Sequence, residues 1–548
     1  MNTPLHCHSS PSRVMVAAFR QMKPPFHIRR AAPLNPHTPL TRRRLLTAAA
    51  AAVPLLGMPA LLAGCDTSAP AAAGRRIRVS QASDPTTLDP QKQGSMTTMN
   101  VLINMFDTLT ARDMNNQLVP RLATRWTAID DHHWRFVLRR GVTFHNGERF
   151  DAQTVKYSIE RLLDPKTQSP IVELRYVTGV RVIDQYTVDF ELSSPDPVIP
   201  AKLSLFGGVM VPPKYLADVG DEKFAAAPVG TGPFRFDSWK RGVGIKMRAY
   251  DNHWASRPSY DELEIQTIQN PASALAALQS DEVDLVTGLV ADAALQLEGY
   301  KGVKVRSYPG LRMSYLSLDT TDPVFADVRV RRALNHAMDV PLLVKAALNG
   351  HGREVPTMIP RESFGFDPAI APYRRDRELA RRLLAEAGHP QGLSTTLTAS
   401  STDAMTAQAI AGLLTKAGVD TKVSLLDPST YSQRLTSDNR KALGPMYLAA
   451  STGWTLDGSS PIQSNVRTGR RQSRWSNPQA DQLIDAEENS ILPEDRQKAF
   501  SALQHLFNKE APFVFLYQAD TIVISNDKVR WTPNVIGDLD LQNASRDD

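Results

Sequence analysis

The side chains best suited to bind a ligand lie in one polar, glycine-rich segment late in the chain. Trp454 and Asp457 stand three residues apart there, after the apolar run Met446–Ala450, which predicts a strand. An aromatic ring offers rigid apolar surface, and a carboxylate pairs with a cationic group of a ligand. We therefore predict that both residues belong to the edge of a binding site. An aspartate that caps a turn remains an equally good interpretation of Asp457 taken alone.

Motifs for catalysis and metal binding are weak by comparison. The sequence contains no G-x-S-x-G, H-E-x-x-H or P-loop motif. Gly230 and Gly232 precede a proline and a strand pattern, so they predict a turn with positive φ rather than a phosphate-binding loop. His132 and His133 fall on opposite faces of a strand, which is poor geometry for a metal. We predict no catalytic residue, no metal and no cofactor. A basic cluster favours a solvated loop over an anion site, and it comprises Arg467, Arg470, Arg471 and Arg474.

Charge and cysteine content exclude other classes of protein. The 548 residues carry 63 Lys+Arg and 57 Asp+Glu, a net charge of +6. Residues 1–64 hold eight of the basic residues and no acidic one, so 55 basic residues face 57 acidic ones in the rest of the chain. A nucleic-acid-binding body would need a basic surplus, so no nucleic-acid partner is expected. Both cysteines, Cys7 and Cys65, lie in the first 65 residues, which excludes thiolate sites in the body.

The N-terminal segment predicts export and lipid anchoring. Arg42 and Arg43 precede a weakly apolar, alanine-rich run, a pattern that resembles a twin-arginine export signal, with an ordinary secretory signal as the alternative. The run ends in Leu-Ala-Gly-Cys65, which resembles a bacterial lipobox and predicts lipidation of Cys65. Several acyl chains give durable membrane anchoring. Asp66 resembles the signal for retention in the inner membrane. We expect residues 1–64 to be the signal, residues 65–76 a tether, and the protein to lie in the periplasm, anchored to the cytoplasmic membrane.

The remaining sequence predicts alternating helices and strands in two lobes. Residues 133–140 and 187–192 alternate polar and apolar residues, as half-buried strands do. Four helices are predicted where an aspartate precedes a run with helical spacing, namely after Asp151, Asp327, Asp339 and Asp376. Beyond the N-terminal segment, no apolar run is long enough to span a membrane.

Four stretches together resemble the family 5 extracellular solute-binding proteins of ABC importers, which include dipeptide, oligopeptide and nickel-chelate receptors. The stretches are Leu122–Leu163, Pro228–Trp254, Phe325–Pro360 and Tyr373–Gly392. The resemblance implies an α/β, two-lobed periplasmic binding protein, type II-like and of cluster C, with an additional subdomain inserted in lobe I. It implies lobe I at 77–108, 229–309 and 522–548, the insert at 109–228, and lobe II at 310–521, joined by a two-stranded hinge.

The resemblance also implies ligand-binding positions. In dipeptide-binding relatives, the aspartate after Gly-Trp-Thr-x pairs with the α-amino group of the ligand, and Asp457 holds that place. Further candidates from a lobe I segment and from the region past the second crossover are Gln93, Ser95, Thr97, Arg312 and Tyr315. The sequence departs from the relatives at Gly458–Pro461, which lacks their second acidic residue, and residues 400–405 lack an arginine for the carboxylate of a dipeptide. A longer peptide, a glutathione-like peptide or another small cationic solute therefore stays open.

The leading hypothesis is a receptor, not an enzyme, that captures a peptide or related small solute and delivers it to a membrane permease complex. We expect a monomer. A metal-chelate or haem receptor of the same fold is one alternative, and a chemoreceptor partner is another. An exported peptidase or other hydrolase is the alternative from a different class, although it lacks a nucleophile motif.

Overall fold

The structure is a computed structural model that describes residues 75–288, 297–439 and 441–547. The predicted export signal with Arg42 and Arg43, the predicted lipidation site Cys65 and all but the last two residues of the predicted tether lie outside these ranges.

The described residues form nineteen strands and thirteen α-helices. The strands are β1 Arg76–Gln81, β2 Thr110–Arg112, β3 Leu118–Pro120, β4 Ala123–Asp130, β5 His133–Leu138, β6 Val177–Asp184, β7 Thr187–Leu192, β8 Phe234–Lys240, β9 Gly244–Ala249, β10 Glu262–Thr267, β11 Leu285–Val286, β12 Val303–Leu318, β13 Gly352–Glu354, β14 Leu393–Ser400, β15 Val419–Leu426, β16 Met446–Thr452, β17 Phe513–Asn526, β18 Val529–Arg530 and β19 Ser545–Arg546. The helices are α1 Met96–Leu102, α2 Ala152–Leu163, α3 Ile199–Lys202, α4 Pro213–Ala226, α5 Pro271–Gln279, α6 Val328–Ala337, α7 Val340–Leu348, α8 Arg377–Glu386, α9 Ala404–Lys416, α10 Pro428–Leu435, α11 Ser459–Asn465, α12 Pro478–Glu488 and α13 Pro493–Glu510. None of these helices combines the length and the apolar character that crossing a membrane requires.

Two long antiparallel strands, β12 and β17, join the two halves of an eleven-stranded sheet. The sheet order is β15-β14-β16-β12-β17-β11-β1-β10-β9-β8, and β13 adds to β17. We call the side with strands β11, β1, β10, β9 and β8 the first half, and the side with strands β15, β14 and β16 the second half. A separate four-stranded sheet, in the order β4-β5-β7-β6, comes from the region between β3 and β8.

The pairing of β12 with β17 is interrupted where the strands pass from one half to the other. Regular pairing stops at Pro309 and resumes at Met313. Gly310 lies in this gap, and a Cβ atom on it would stand 2.6 Å from the carbonyl oxygen of Ala519. A side chain would therefore push the two strands apart at the crossing. The predicted lobe boundaries at 309/310 and 521/522 fall in this region, and the division into segments stays a prediction.

The second half of the sheet is covered on both faces because its strands alternate apolar side chains. Leu316 and Leu516 belong to the apolar core on one face, with α6 and α9, whereas Tyr315 and Phe515 belong to the core on the other face, with α13. Successive side chains of a strand point to opposite faces, so one strand can supply both cores. A third core is continuous between the first half and the four-stranded sheet, which ties the two sheets together.

The predicted helix starts are confirmed at all four aspartates. Asp151 accepts hydrogen bonds from the N–H groups of Gln153 and Thr154 at the start of α2. Asp327, Asp339 and Asp376 accept from backbone N–H groups in the first turns of α6, α7 and α8. Each carboxylate satisfies N–H groups that have no partner inside the helix.

Candidate ligand-binding cleft

Two stretches far apart in the sequence enclose a cleft of about 210 Å³ beside Trp454. Residues 172–202, next to the four-stranded sheet, form one wall, and residues 454–488, which follow β16 in the second half, form the other. The walls therefore belong to different parts of the fold. A ligand in this position would contact both of them.

Aromatic and aliphatic contacts bring the two walls together at the base of the cleft. The ring of Trp454 meets that of Phe206 edge to face, with centroids 4.5 Å apart. Next to them, Leu311, Leu456 and Val535 form a small apolar cluster against which Trp454 also packs. Because aromatic pairs of this geometry add to the free energy of burial, these contacts stabilise the packing of Trp454 against Phe206.

Arg112, at the end of β2, connects the second wall to the segment between β2 and β3. Its guanidinium donates to the carbonyl oxygen of Thr455 from one Nη atom and to that of Asn116 at 2.6 Å from the other. Burial lowers the pKa of Arg112 to about 10, and Asp457 and Asp113 act in the opposite direction. The Nε atom of Arg112 is buried without a hydrogen-bond partner among the described residues. Arg112 therefore holds a positive charge close behind the cleft.

Three buried polar atoms of the cleft lining have no hydrogen-bond partner within the described chain. They are Oε2 of Glu173, Oγ1 of Thr455 and Nε2 of Gln463. Glu173 comes from one wall, and Thr455 and Gln463 come from the other. A buried polar atom without a partner is costly, so these atoms mark polar side chains whose ends are packed within the walls.

Asp457 lies behind the cleft, where its carboxylate is already bound. Arg496 of α13 donates to both of its oxygens, at 2.9 Å and 2.7 Å. The N–H of Ser459 donates to Oδ1 at 3.0 Å, which is the turn-capping arrangement considered for this residue. Asp457 is 6 % exposed. Although burial opposes its charge, Arg496 and the bond from Ser459 hold its pKa below the usual range.

A second carboxylate shares the same arginine. Glu487 accepts from Arg496 at 3.3 Å and from the hydroxyl of Ser459 at 2.7 Å. Burial, and then the nearby charge of Asp457, raise the pKa of Glu487 to about 7. The guanidinium of Arg496 also lies over the ring of Phe364, 4.8 Å from its centroid. This cluster of Asp457, Ser459, Glu487 and Arg496 forms a polar core under the second wall.

The lobe I candidates lie apart from the lining of this cleft. Gln93 is buried, and its Oε1 accepts from the N–H of Ser95 at 2.8 Å, while its Nε2 has no partner among the described residues. Ser95 is exposed and Thr97 is half-buried at the start of α1. None of the three is among the residues that line the cleft, so their contact with a ligand stays a prediction.

Arg312 and Tyr315 lie on β12, but they face different surroundings. Arg312 is exposed and pairs with Asp403 at 3.5 Å. Tyr315 is 1 % exposed and packs edge to face on Phe513, in the core of the second half. Burial raises the pKa of Tyr315 well above its usual value. The structure thus places Tyr315 in the apolar core that includes α13, and it is not among the residues that line the cleft.

The arginine cluster and the histidines show no built anion or metal site. Arg467 pairs with Asp485 at 2.8 Å and with Glu488 at 2.6 Å, and Arg471 pairs with Asp438. Within the described ranges, no group of three or more His, Cys, Asp or Glu side chains is arranged to hold a metal ion.

Sequence patterns did not point to several residues that build the site, namely Arg112, Glu173, Gln463 and Arg496. Glu173 lies in a turn before β6 and Gln463 on the short helix α11. Neither residue belongs to a motif, and no spacing in the sequence brings them near Trp454. Their roles follow from tertiary contacts alone.

The fold and the cleft define a two-lobed solute-binding protein of the periplasmic type. The chain matches the family model "Bacterial extracellular solute-binding proteins, family 5 Middle" over residues 117–473, and it belongs to this family. The resemblance read from the sequence is confirmed. The family indicates binding rather than catalysis.

Individual relatives cover most of the chain. It is 27% identical over 468 residues to the glutathione-binding protein GsiB of Escherichia coli O1:K1 / APEC, covering 83% of this chain and 90% of that protein. The structure of HbpA2 from Haemophilus parasuis superposes with a TM-score of 0.77 at 22% identity, covering 86% of this chain and 100% of that one. The periplasmic binding protein DppA from Helicobacter pylori, in complex with the peptide STSA, superposes with a TM-score of 0.68 at 24% identity, covering 86% and 98%.

Proposed function

We propose that the protein is the lipid-anchored, periplasmic solute receptor of an ABC importer and that it captures peptides or closely related small solutes. The observation that carries this proposal is the cleft beside Trp454, whose two walls come from different parts of the fold and are lined by aromatic and polar side chains. Binding between the walls would favour closure, and the closed form would deliver the solute to a membrane permease.

The ligand class is supported by two relatives. GsiB is named for glutathione, and DppA was solved with the peptide STSA. Both ligands are short peptides that combine charged ends with polar groups. An aromatic wall together with a few fixed polar groups suits such a ligand, because apolar surface supplies affinity and polar groups supply orientation.

The proposed anchor rests on the sequence. Arg42 and Arg43 would direct export by the twin-arginine route, and Cys65 would carry the acyl chains that hold the mature protein at the inner membrane. The predicted tether of residues 65–76 would then be flexible up to the start of β1 at Arg76, which pairs with Glu262. We propose a monomer, since one chain supplies both walls of the cleft.

Native mass spectrometry of the freshly purified, detergent-solubilised mature protein tests both parts of the proposal. We expect a mass that matches a chain beginning at an acylated Cys65, plus one small solute that is lost on denaturation. Tandem mass spectrometry of the released solute should identify an intact peptide or amino-acid derivative. A mature chain without acyl groups would contradict the anchor. A protein that carries no solute and is not stabilised by any short peptide would contradict the receptor.

A further inference from the structure

We propose that one surface of the second half, formed by α6, α8 and the C-terminal ends of α9 and α13, binds the anionic headgroups of a membrane. We call this surface the basic face. The inference goes beyond the proposed receptor function, because it concerns how the folded body meets the bilayer rather than what the cleft holds.

The basic face carries seven cations that form no ion pair with a carboxylate of the described residues. Five of them are exposed and two are half-buried. They are Arg332, Arg374, Arg377, Arg381, Arg382, Lys416 and Lys509. Arginine and lysine side chains without a carboxylate partner are free to meet an external anion.

Contacts between the elements place these cations on one continuous surface. The helices α6 and α8 pack against each other. Arg332 of α6 donates to the carbonyl oxygen of Lys509 near the end of α13 at 2.5 Å. Arg381 of α8 donates to the carbonyl oxygen of Lys416 at the end of α9 at 2.7 Å. The basic face therefore runs without a break from the end of α9, across α8 and α6, to the end of α13.

Carboxylates on these elements compensate only part of the charge. Asp327, Asp339 and Glu510 are paired with other arginines of the same surface. The carboxylates without such a pair are fewer than the seven cations, namely Asp376, Glu378 and Glu386. A helix C-terminus carries only about half a negative charge, so the carbonyl groups that the arginines bind do not cancel the remaining surplus.

This surplus is a local feature of the body. Beyond residue 64 the chain has 55 basic and 57 acidic residues, so the body as a whole is not attracted to an anionic membrane. Clustered lysines and arginines are attracted to anionic lipid within about one Debye length of the surface. A guanidinium group also donates to a phosphate in pairs. The charge of the basic face therefore complements a layer of lipid phosphates.

A groove of about 560 Å³ in the basic face gives a headgroup room to enter. Arg332, His336, Tyr373 and Lys509 are among the residues that line it. The hydroxyl of Tyr373 donates to the carbonyl oxygen of Asn508, and burial raises the pKa of Tyr373 to about 12, so this side chain stays neutral. Arg332 and Lys509 supply the positive charge of the groove.

The proposed anchor would keep the basic face close to lipid. A tether of residues 65–76 spans at most about 40 Å when fully extended. The body would therefore meet headgroups at a high effective concentration, and a weak attraction per side chain would suffice to hold this face against the bilayer.

Vesicle co-sedimentation tests the inference with the mature chain carrying Cys65→Ser, which cannot be acylated. We expect binding to vesicles of phosphatidylcholine mixed with phosphatidylglycerol, and none to vesicles of phosphatidylcholine alone. Raising the salt concentration from about 50 mM to about 500 mM should abolish the binding, because salt screens exposed charges. The combined variant Arg374→Gln, Arg382→Gln and Lys509→Gln should bind at least about tenfold more weakly.

The matched control removes the same charge from another part of the body. Arg125, Lys166 and Lys214 are exposed, lie outside the basic face and form no ion pair with a carboxylate of the described residues. Their combined replacement with glutamine should leave vesicle binding within about threefold of the wild type.

Three outcomes would overturn the inference. The first is equal sedimentation with neutral and anionic vesicles, or sedimentation with neither, which does not depend on how any variant folds. The second is a control variant that loses as much binding as the variant of the basic face. The third is binding of soluble poly-L-glutamate without binding of anionic vesicles, which would assign the basic face to an acidic protein. None of these results bears on solute binding, so the proposed receptor function stands or falls separately.

Discussion

Replacing Arg496 with methionine should lower the free energy of unfolding by about 3–5 kcal/mol at pH 8. The substitution keeps most of the apolar stem but removes the guanidinium, which lies over the rings of Phe364 and Phe500 and carries the positive charge that Asp457 and Glu487 share. Breaking a buried ion pair by removing one partner leaves an uncompensated charge, which is what makes the loss large. Urea denaturation followed by circular dichroism measures it.

The pH dependence gives this prediction a second test. Without Arg496, protonation is the remaining way to neutralise the two buried carboxylates, so their pKa values in the folded variant should rise. The stability of the Arg496→Met variant should then fall relative to the wild type as the pH rises from about 5 to 8. Adding Asp457→Asn should recover part of the loss, because one of the two stranded charges is removed.

Lys498→Met is the matched control on the same helix. Lys498 is exposed and pairs with Asp495 at 3.1 Å, so its loss should cost less than about 0.5 kcal/mol. If the Arg496→Met variant were as stable as this control at pH 8, Asp457 would not depend on Arg496. Its carboxylate would then again be available as the partner of a ligand ammonium group.

The Trp454→Ala variant should bind the solute recovered from the purified protein about 30- to 100-fold more weakly. Trp454 lines the cleft and also meets Phe206, next to the first wall. Its removal should take away ligand contact and the packing on Phe206, and aromatic anchors of this kind dominate binding energies. Isothermal titration with the identified solute measures the effect.

Two variants show whether the loss is specific. Trp454→Phe keeps an aromatic ring and should retain most of the affinity. Trp126→Ala removes a partly buried tryptophan of the four-stranded sheet, which stacks on Phe136 with centroids 6.4 Å apart, so it should change stability but not affinity. An affinity of the Trp454→Ala variant within threefold of the wild type would place the ligand away from this cleft.

Local signals in the sequence predicted much of the secondary structure. The four aspartate caps were identified because a cap and the apolar spacing after it lie within one or two turns. Strand β7 matches the predicted range 187–192, since its alternation places Val188, Phe190 and Leu192 on one buried face, whereas the polar face is half-buried apart from the buried Asp189. These features depend on neighbours in the chain, and a sequence displays them directly.

The two long strands β12 and β17 were harder to predict from local pattern. The apolar run Phe513–Tyr517 predicted a short strand, whereas β17 continues to Asn526. Residues Gln518–Thr521 break the apolar pattern because they lie where the strands cross between the halves. Hydrogen bonds to β12, a partner more than two hundred residues away, keep this segment extended. Such long-range pairing leaves little trace in local composition.

The prediction of positive φ at Gly230 and Gly232 was wrong, and the reason for glycine is steric. Neither residue adopts positive φ. A Cβ atom on Gly230 would lie 2.0 Å from the carbonyl oxygen of Met105, and one on Gly232 would lie 2.5 Å from the carbonyl carbon of Met105. The two glycines allow two backbone segments to approach closely. A requirement for a turn and a requirement for close packing look the same in sequence.

The sequence predicted Trp454 as a ligand-binding residue because an aromatic residue stood out in a polar loop after a strand. Trp454 lines the cleft, and its contact with a ligand stays a prediction. The sequence could not show that Arg496, thirty-nine residues further along, binds Asp457. Nor could it show that Glu173 lies on the facing wall of the cleft, with its Oε2 atom buried and without a hydrogen-bond donor among the described residues. Charge pairing is decided by tertiary contacts, and a residue's type and spacing do not reveal which carboxylates are already neutralised.

The central claim is that two closing walls capture an intact solute. Small-angle X-ray scattering of the protein, before and after addition of its own released solute, tests this claim most directly. The account predicts a smaller radius of gyration in the presence of the solute, and chromatography of the same sample should recover the solute unchanged. An identical scattering profile in both states, or a solute recovered in cleaved form, would contradict it.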